Sequence, residues 1–329
     1  MNFFTRACIF TLATFAILCP AIPAEALKFE PVNQKDLPAG VKSALWVRDC
    51  GRAFGDKQCD EDEQGFSVGD SVRLARELSA RRYDEVWLAS NGGVLDEGLA
   101  VGDVLRRFQA TVRVPPGRQC ISSCTVAFLG GVFRFIDPGA TYQVHAASLF
   151  LDTSLDDPWM KEVIEDPRGG LVQWADRLLV GFDLRRSHIS GSRESAQQLL
   201  IHFQKALLPL GQLPQGREDA NREQLRKWVL ARGASTYRNS PQLTQDVAEV
   251  QREGVAAVQQ ILMRLERDSM QQAIDELRPM LPSLGPRAEP ALHMLETMYT
   301  SRITGTASLS YETLLQMGYI TKVFDPSKP

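Results

Sequence analysis

The sequence predicts an α/β fold: a core of repeated β-α units that carries a large, mostly helical insertion. Two observations predict it. Between positions 42 and 145, short apolar runs suited to buried strands alternate with stretches whose apolar residues recur at helical spacing. Units of this size argue for parallel strands joined by crossover helices. From Asp156 to about Ile303 the pattern changes to long, charged helical stretches such as Val247 to Met270, with breaks at Pro209, Pro214, Pro241, Pro279 and Pro282.

Taken in order, residues 1–26 read as a secretory signal. Arg6 is the only charge ahead of an apolar run from Ala7 to Cys19, and Ala24-Glu25-Ala26 offers small residues for cleavage. The run is too short for a membrane span, which needs roughly 20 apolar residues. Cys19 follows Leu18 rather than a small residue, which argues against a lipid anchor, and no later segment is apolar enough to span a bilayer.

The core is expected over 27–153. A strand at Lys42 to Val47 leads into a polar loop from Asp49 to Gln64 that holds Asp60, Glu61, Asp62 and Glu63. Those acids lack the twelve-residue calcium-loop pattern and read as a solvated face. A helix follows from Val68 to Ala80, with Val72, Leu74, Ala75 and Leu78 at helical spacing. Next come a strand at Glu85 to Ala89, a helix from Val94 to Phe108 and a strand at Ala110 to Val114. After Pro115-Pro116-Gly117 the chain reads as an apolar helix from Ser122 to Leu129. Strands at Val132 to Ile136 and Thr141 to His145 are joined by the turn Asp137-Pro138-Gly139. The helical insertion is expected over 154–303, and 304–329 closes the core, with Tyr311 to Val323 reading as helix, Gly318, then strand.

A net charge of -3, a pI near 5.9 and interspersed charges leave no basic footprint for nucleic acid. Beyond the signal stand Cys50, Cys59, Cys120 and Cys124. An even number in an oxidising compartment suggests disulfides, and Cys50 to Cys59 with Cys120 to Cys124 is the simplest of three connectivities. Zinc is the competing reading, but the spacing is poor and no histidine lies close in sequence to either pair. No metal or other cofactor is expected. The compartment implied is periplasmic or extracellular.

Chemistry concentrates between Trp87 and His145. The strand there ends in Ser90-Asn91-Gly92-Gly93, and glycines at such a turn let backbone N–H groups face open space, where they hold an anion or oxyanion. Read alone, such a turn is more often a structural one. Cys120-Ile121-Ser122-Ser123-Cys124 places serines at a helix start. One reading is a plain N-cap; the other is a nucleophile whose target carbonyl is polarised by helix-start N–H groups. Of four histidines, His145 ends a core strand, whereas His188, His202 and His293 fall in the helical part.

The order S-N-G-G, helix, strand, C-I-S-S-C, apolar helix, Asp-Pro turn and V-H resembles Clp-type serine proteases and signal peptide peptidase A, of the ClpP/crotonase-like superfamily. With Gly69-Asp70 it is most similar to poorly characterised periplasmic relatives of that family. The resemblance covers about Lys42 to Ala147 and the tail Leu309 to Val323. It implies Ser122 as nucleophile, with Ser123 the less favoured choice, and His145 as general base. It also implies an oxyanion hole from Gly92 and Gly93 and the N–H of Ser123. The family's catalytic aspartate would fall close to Thr306, where no acid stands; Asp152, Asp156 or Asp157 are substitutes that nothing in the spacing requires. Without an orienting carboxylate, turnover falls by orders of magnitude.

The expected function is therefore an exported serine hydrolase, a peptidase acting on peptide or protein substrates through an acyl-enzyme. The alternative is a catalytically inactive binding or assembly protein that keeps the core and uses the helical insertion. A crotonase-type acyl-CoA enzyme shares the core but fits an exported protein poorly. The fold resembled often assembles as homo-oligomers.

Overall fold

The structure, a computed structural model, describes residues 27–50, 65–145, 158–184, 187–208, 217–231, 233–301 and 307–321. The signal segment, the acidic loop with Cys59, and the positions Asp152, Asp156, Asp157 and Thr306 lie outside the described residues.

The chain is α/β. Strand β1 (Leu27–Pro31) is followed by β2 (Ala44–Asp49), helix α1 (Asp70–Ala80), β3 (Glu85–Ala89), α2 (Leu95–Arg107), β4 (Thr111–Val114), β5 (Gln119–Ile121), α3 (Ser123–Leu129), β6 (Phe133–Ile136) and β7 (Thr141–Val144). One sheet has the order β1-β2-β3-β4-β6, with β1 antiparallel and the other neighbours parallel. All five residues of β3 are buried, as expected of a central parallel strand covered on both faces. A second sheet has β5 and β7 in parallel, and a parallel bridge between Ser90 and Cys120 ties its β5 to the end of β3.

The helical part contains α4 (Pro158–Glu165), α5 (Pro167–Val180), a hairpin of β8 (Gly181–Leu184) and β9 (Ser187–Ser190), α6 (Ser192–Leu207), α7 (Arg217–Leu230), α8 (Pro241–Glu253), α9 (Val255–Leu277), α10 (Leu281–Leu284) and α11 (Ala288–Thr300). Strand β10 (Ala307–Ser308) and helix α12 (Tyr311–Gln316) close the described chain. Two expectations need correction. The helix read through Val247 to Met270 is two helices, because Gly254 takes a positive φ of 62° between α8 and α9. Pro241 opens α8 at its first turn, where its missing N–H costs nothing, and Ser240 caps the same end. The tail has its helix, but the described residues after Gly318 form no strand; Thr321 is tied to Arg134 of β6 by its N–H to Arg134 O (3.0 Å) and by its hydroxyl, which accepts the Arg134 N–H (3.0 Å).

The helical part is not a separate layer of packing. Leu199, Phe203, Leu277 and Leu292 share one buried apolar cluster with Leu88, Val101, Phe128 and Val144 of the core, while a second cluster around Trp174, Val258 and Ile261 lies within the helices. Arg134 locks the parts together. It is 4% exposed and donates to Tyr319 O (2.7 Å), Gly318 O (2.8 Å), Gly131 O (2.6 Å), Ala206 O (3.1 Å) and Leu129 O (3.3 Å). These carbonyls stand at or just past the C-terminal ends of α3, α6 and α12, where helix dipoles leave partial negative charge. Burial pushes the guanidinium down to about 10, so it keeps its charge at neutral pH.

Candidate active site

Ser122 stands where β5 turns into α3. Its backbone takes φ 58° and ψ -127°, a region that non-glycine residues avoid at a cost of about 1–3 kcal/mol. Its surroundings hold it there. The Ser122 N–H donates to Gln143 O on β7 (3.0 Å), its carbonyl accepts from the Thr125 N–H (2.9 Å) and hydroxyl, and a Cys120–Cys124 disulfide with Cα atoms 5.2 Å apart brackets it. The Tyr142 hydroxyl donates to Thr125 O (3.0 Å) and pins α3 to β7. Although Ser122 occupies the N-cap position, its hydroxyl makes no capping hydrogen bond.

The two serines differ. Ser122 is partly exposed, whereas Ser123 is 1% exposed and its Oγ is buried without a hydrogen-bond partner. Ser123 packs against Gly98 of α2 so tightly that a methyl there would lie 2.8 Å from the Ser123 Cβ. Gly92 meets Ser122 in the same way: a Cβ built on it would lie 2.4 Å from Ser122 Cβ and 3.0 Å from Oγ. The glycine lets the Ser90–Gly93 turn and the serine touch.

The donors of that turn can be accounted for one by one. The Ser90 N–H goes to Gln119 O (2.9 Å), Asn91 N–H to Asp49 Oδ2 (2.8 Å), Gly92 N–H to Ser90 Oγ (3.1 Å) and Val94 N–H to Phe66 O (2.8 Å). The Gly93 N–H has no acceptor among the described residues, and neither does the N–H of Ser123, the first residue of α3. Two undirected donors thus flank the contact between Gly92 and Ser122. Asp49, which sequence reading placed at the start of a polar loop, belongs to this cluster. The available signal was its place at the end of a strand that runs parallel to β3.

His145 follows β7 immediately and is partly exposed. The parallel register pairs Ile121 with Gln143, so the ends of β5 and β7 carry Ser122 and His145 at the same edge of one small sheet. The tail returns to that edge: β10 runs antiparallel to β7 with Ala307 opposite Val144 and Ser308 opposite Gln143, and Gln143 Nε2 donates to Ser308 Oγ (2.9 Å).

A pair of acids lies beyond Phe66, which bridges Gly93. Asp70 Oδ2 accepts from Ser67 N–H (2.8 Å) and Oδ1 from Arg73 (3.0 Å), while Glu97 accepts from Ser71 N–H (2.5 Å). Burial first, and the neighbouring Glu97 charge as well, push the Asp70 carboxyl up to about 6. Among the expected disulfides, Cys120–Cys124 is present; Cys50 is disulfide-bonded, and its expected partner Cys59 lies outside the described residues. Among the described residues no three His, Cys, Asp or Glu side chains stand in metal-ligating geometry, and no helix is long and apolar enough to cross a membrane.

No protein-family model matches the chain, and no curated protein matches it. Among solved structures, a membrane-bound stomatin-specific protease variant in complex with a substrate peptide is similar at 16% identity and a TM-score of 0.21. That match covers 33% of this chain and 54% of the other, so the chain spans about half of that protein. A chain described as an enoyl-CoA hydratase from Streptomyces coelicolor A3(2) is similar at 18% identity and a TM-score of 0.23, over 87% of this chain and 98% of the other. At these scores neither likeness bears on the chemistry of this chain.

Proposed function

We propose that this protein is an exported serine hydrolase of the Clp-type class, a peptidase in which Ser122 is the nucleophile and His145 the general base. The observation that carries the reading is the strained Ser122 backbone beside a glycine turn with an undirected N–H. A serine serving only as a helix cap needs neither the strain nor a hydroxyl left out of the cap.

In this reading His145 takes the proton from Ser122 Oγ as the oxygen attacks the carbonyl carbon of a peptide. The N–H groups of Gly93 and Ser123 receive the negative charge that forms on the carbonyl oxygen. As the tetrahedral intermediate collapses, the C–N bond breaks and the amine leaves with the proton held by His145. Water, deprotonated by His145, then attacks the acyl-enzyme and releases the acid and Ser122. The disulfide across the nucleophile turn suits an oxidising compartment and stiffens the donors, so that little reorganisation accompanies the charge.

The test is labelling of the purified protein with a fluorophosphonate, read by intact mass. One adduct is expected, retained in Ser123→Ala and lost in Ser122→Ala and His145→Ala. No adduct on folded protein refutes the hydrolase and transfers the weight to a binding protein built on the same core.

A further inference from the structure

We propose that Asp49 is a positioning residue for the oxyanion turn: its carboxyl group holds the Asn91 peptide so that the Gly93 N–H is left facing the Ser122 site. The inference rests on reading Ser122 as the nucleophile of an acyl transfer.

Asp49 is the last residue of β2, and its neighbour Arg48 pairs with Ala89, the last residue of β3. The side chain therefore stands beside the turn that follows β3. It is 6% exposed; Oδ2 accepts the Asn91 N–H, while Oδ1 is buried with no hydrogen-bond partner among the described residues. A purely structural acceptor for one N–H would cost less as a neutral side chain, because burying a carboxylate is expensive. The cost shows in its acidity: burial raises the carboxyl above its usual range, opposed by Ser90, the Asn91 N–H and Arg48.

What the carboxyl group achieves follows from the order of donors along the turn. Asn91 is tied to Asp49 and Gly92 to the Ser90 hydroxyl, which itself interacts with Asp49. With those two N–H groups taken and Gly92 O held by the Phe66 N–H (2.7 Å), the Gly93 N–H of the next peptide is left without an acceptor among the described residues. Were Asp49 absent, the Asn91 N–H, whose bond to it is part-buried, would lose its acceptor. Rotation of its peptide to find another would shift Gly92, whose φ of 107° a glycine leaves without penalty, and strain the bond from the Phe66 N–H to Gly92 O that orients the peptide carrying the Gly93 N–H.

The experiment measures saturation kinetics of fluorophosphonate labelling. In Asp49→Ala the maximal labelling rate should fall on the order of 100-fold, as for loss of one oxyanion donor, with the half-saturating probe concentration within about threefold of wild type. Asp49→Asn, which keeps an acceptor oxygen, should recover most of the rate. An Asp49→Ala protein that labels at the wild-type rate overturns the proposal alone; absence of any adduct on wild type overturns the hydrolase reading and the proposal with it. Should Asp49→Ala not fold, amide resonances of the wild type carry the test. Asn91 and Gly93 proton shifts that titrate together support the coupling, and a Gly93 shift that stays constant while Asn91 titrates refutes it.

Discussion

Replacing Gly92 with alanine is expected to disable Ser122 while the protein stays folded. The added methyl would lie 2.4 Å from Ser122 Cβ, 2.9 Å from Ile121 O and 3.0 Å from Ser122 Oγ. Carbon atoms in good contact sit about 3.5–4 Å apart, so the turn and Ser122 must separate by about 1 Å. Neither side yields easily, because Ile121 is held in β5, Ser122 in its strained turn and Gly92 by the Phe66 N–H on its carbonyl (2.7 Å). The positive φ of Gly92, 107°, adds about 1–2 kcal/mol against any L side chain. A misplacement of about 1 Å at a reacting centre costs on the order of 10²-fold in rate, or about 2.7 kcal/mol of barrier. The assay is the second-order rate of fluorophosphonate labelling, with thermal unfolding as the control for folding. A Gly92→Ala protein that labels within about threefold of wild type at an unchanged melting temperature would refute the contact on which the site is built.

Three further outcomes are expected. Arg134→Met leaves four carbonyls without a charged donor, Ala206 O keeping Arg106, and should lower stability by about 3–5 kcal/mol in urea unfolding; a loss under about 1 kcal/mol would deny Arg134 its part in joining helices to core. Opening the five-residue Cys120–Cys124 ring with paired serine substitutions should cost about 2 kcal/mol by loop entropy, and the same substitutions should slow labelling of Ser122 more than the stability loss alone accounts for. The pH dependence follows from Asp70, whose folded pKa of about 6 lies above the ~3.9 of an unfolded aspartate. Between those values the native state holds a proton that the unfolded chain has released, so stability falls as pH rises from about 4 to 6, by about 2–3 kcal/mol. Unfolding free energies across that window should show the slope in wild type and a flatter one in Asp70→Asn.

Reading the chain before its structure works best where local pattern and burial agree. Glu85 to Ala89 is an apolar run because both faces of β3 are covered, and its limits coincide with the strand observed. The helices α1, α2 and α3 likewise fall where apolar spacing places them, to within two residues at each end. The strands β5 and β10, three and two residues long, carry too few residues for a period to emerge, and each is defined by its pairing with β7. Gly254 shows the opposite failure, since apolar spacing runs on through a glycine whose positive φ ends one helix and starts another.

By itself, then, the sequence determined the α/β class, the glycine turn and the paired serines between two cysteines, because residue types and their spacing are local properties. Only the tertiary structure decided which serine faces outward, which turn donors are already taken and that Asp49 accepts one of them. These depend on atoms far apart in the chain: Gly98 closing over Ser123, Gln119 and Asp49 claiming the turn's first N–H groups, and Gln143 holding the backbone of Ser122 in a conformation that its own sequence does not favour.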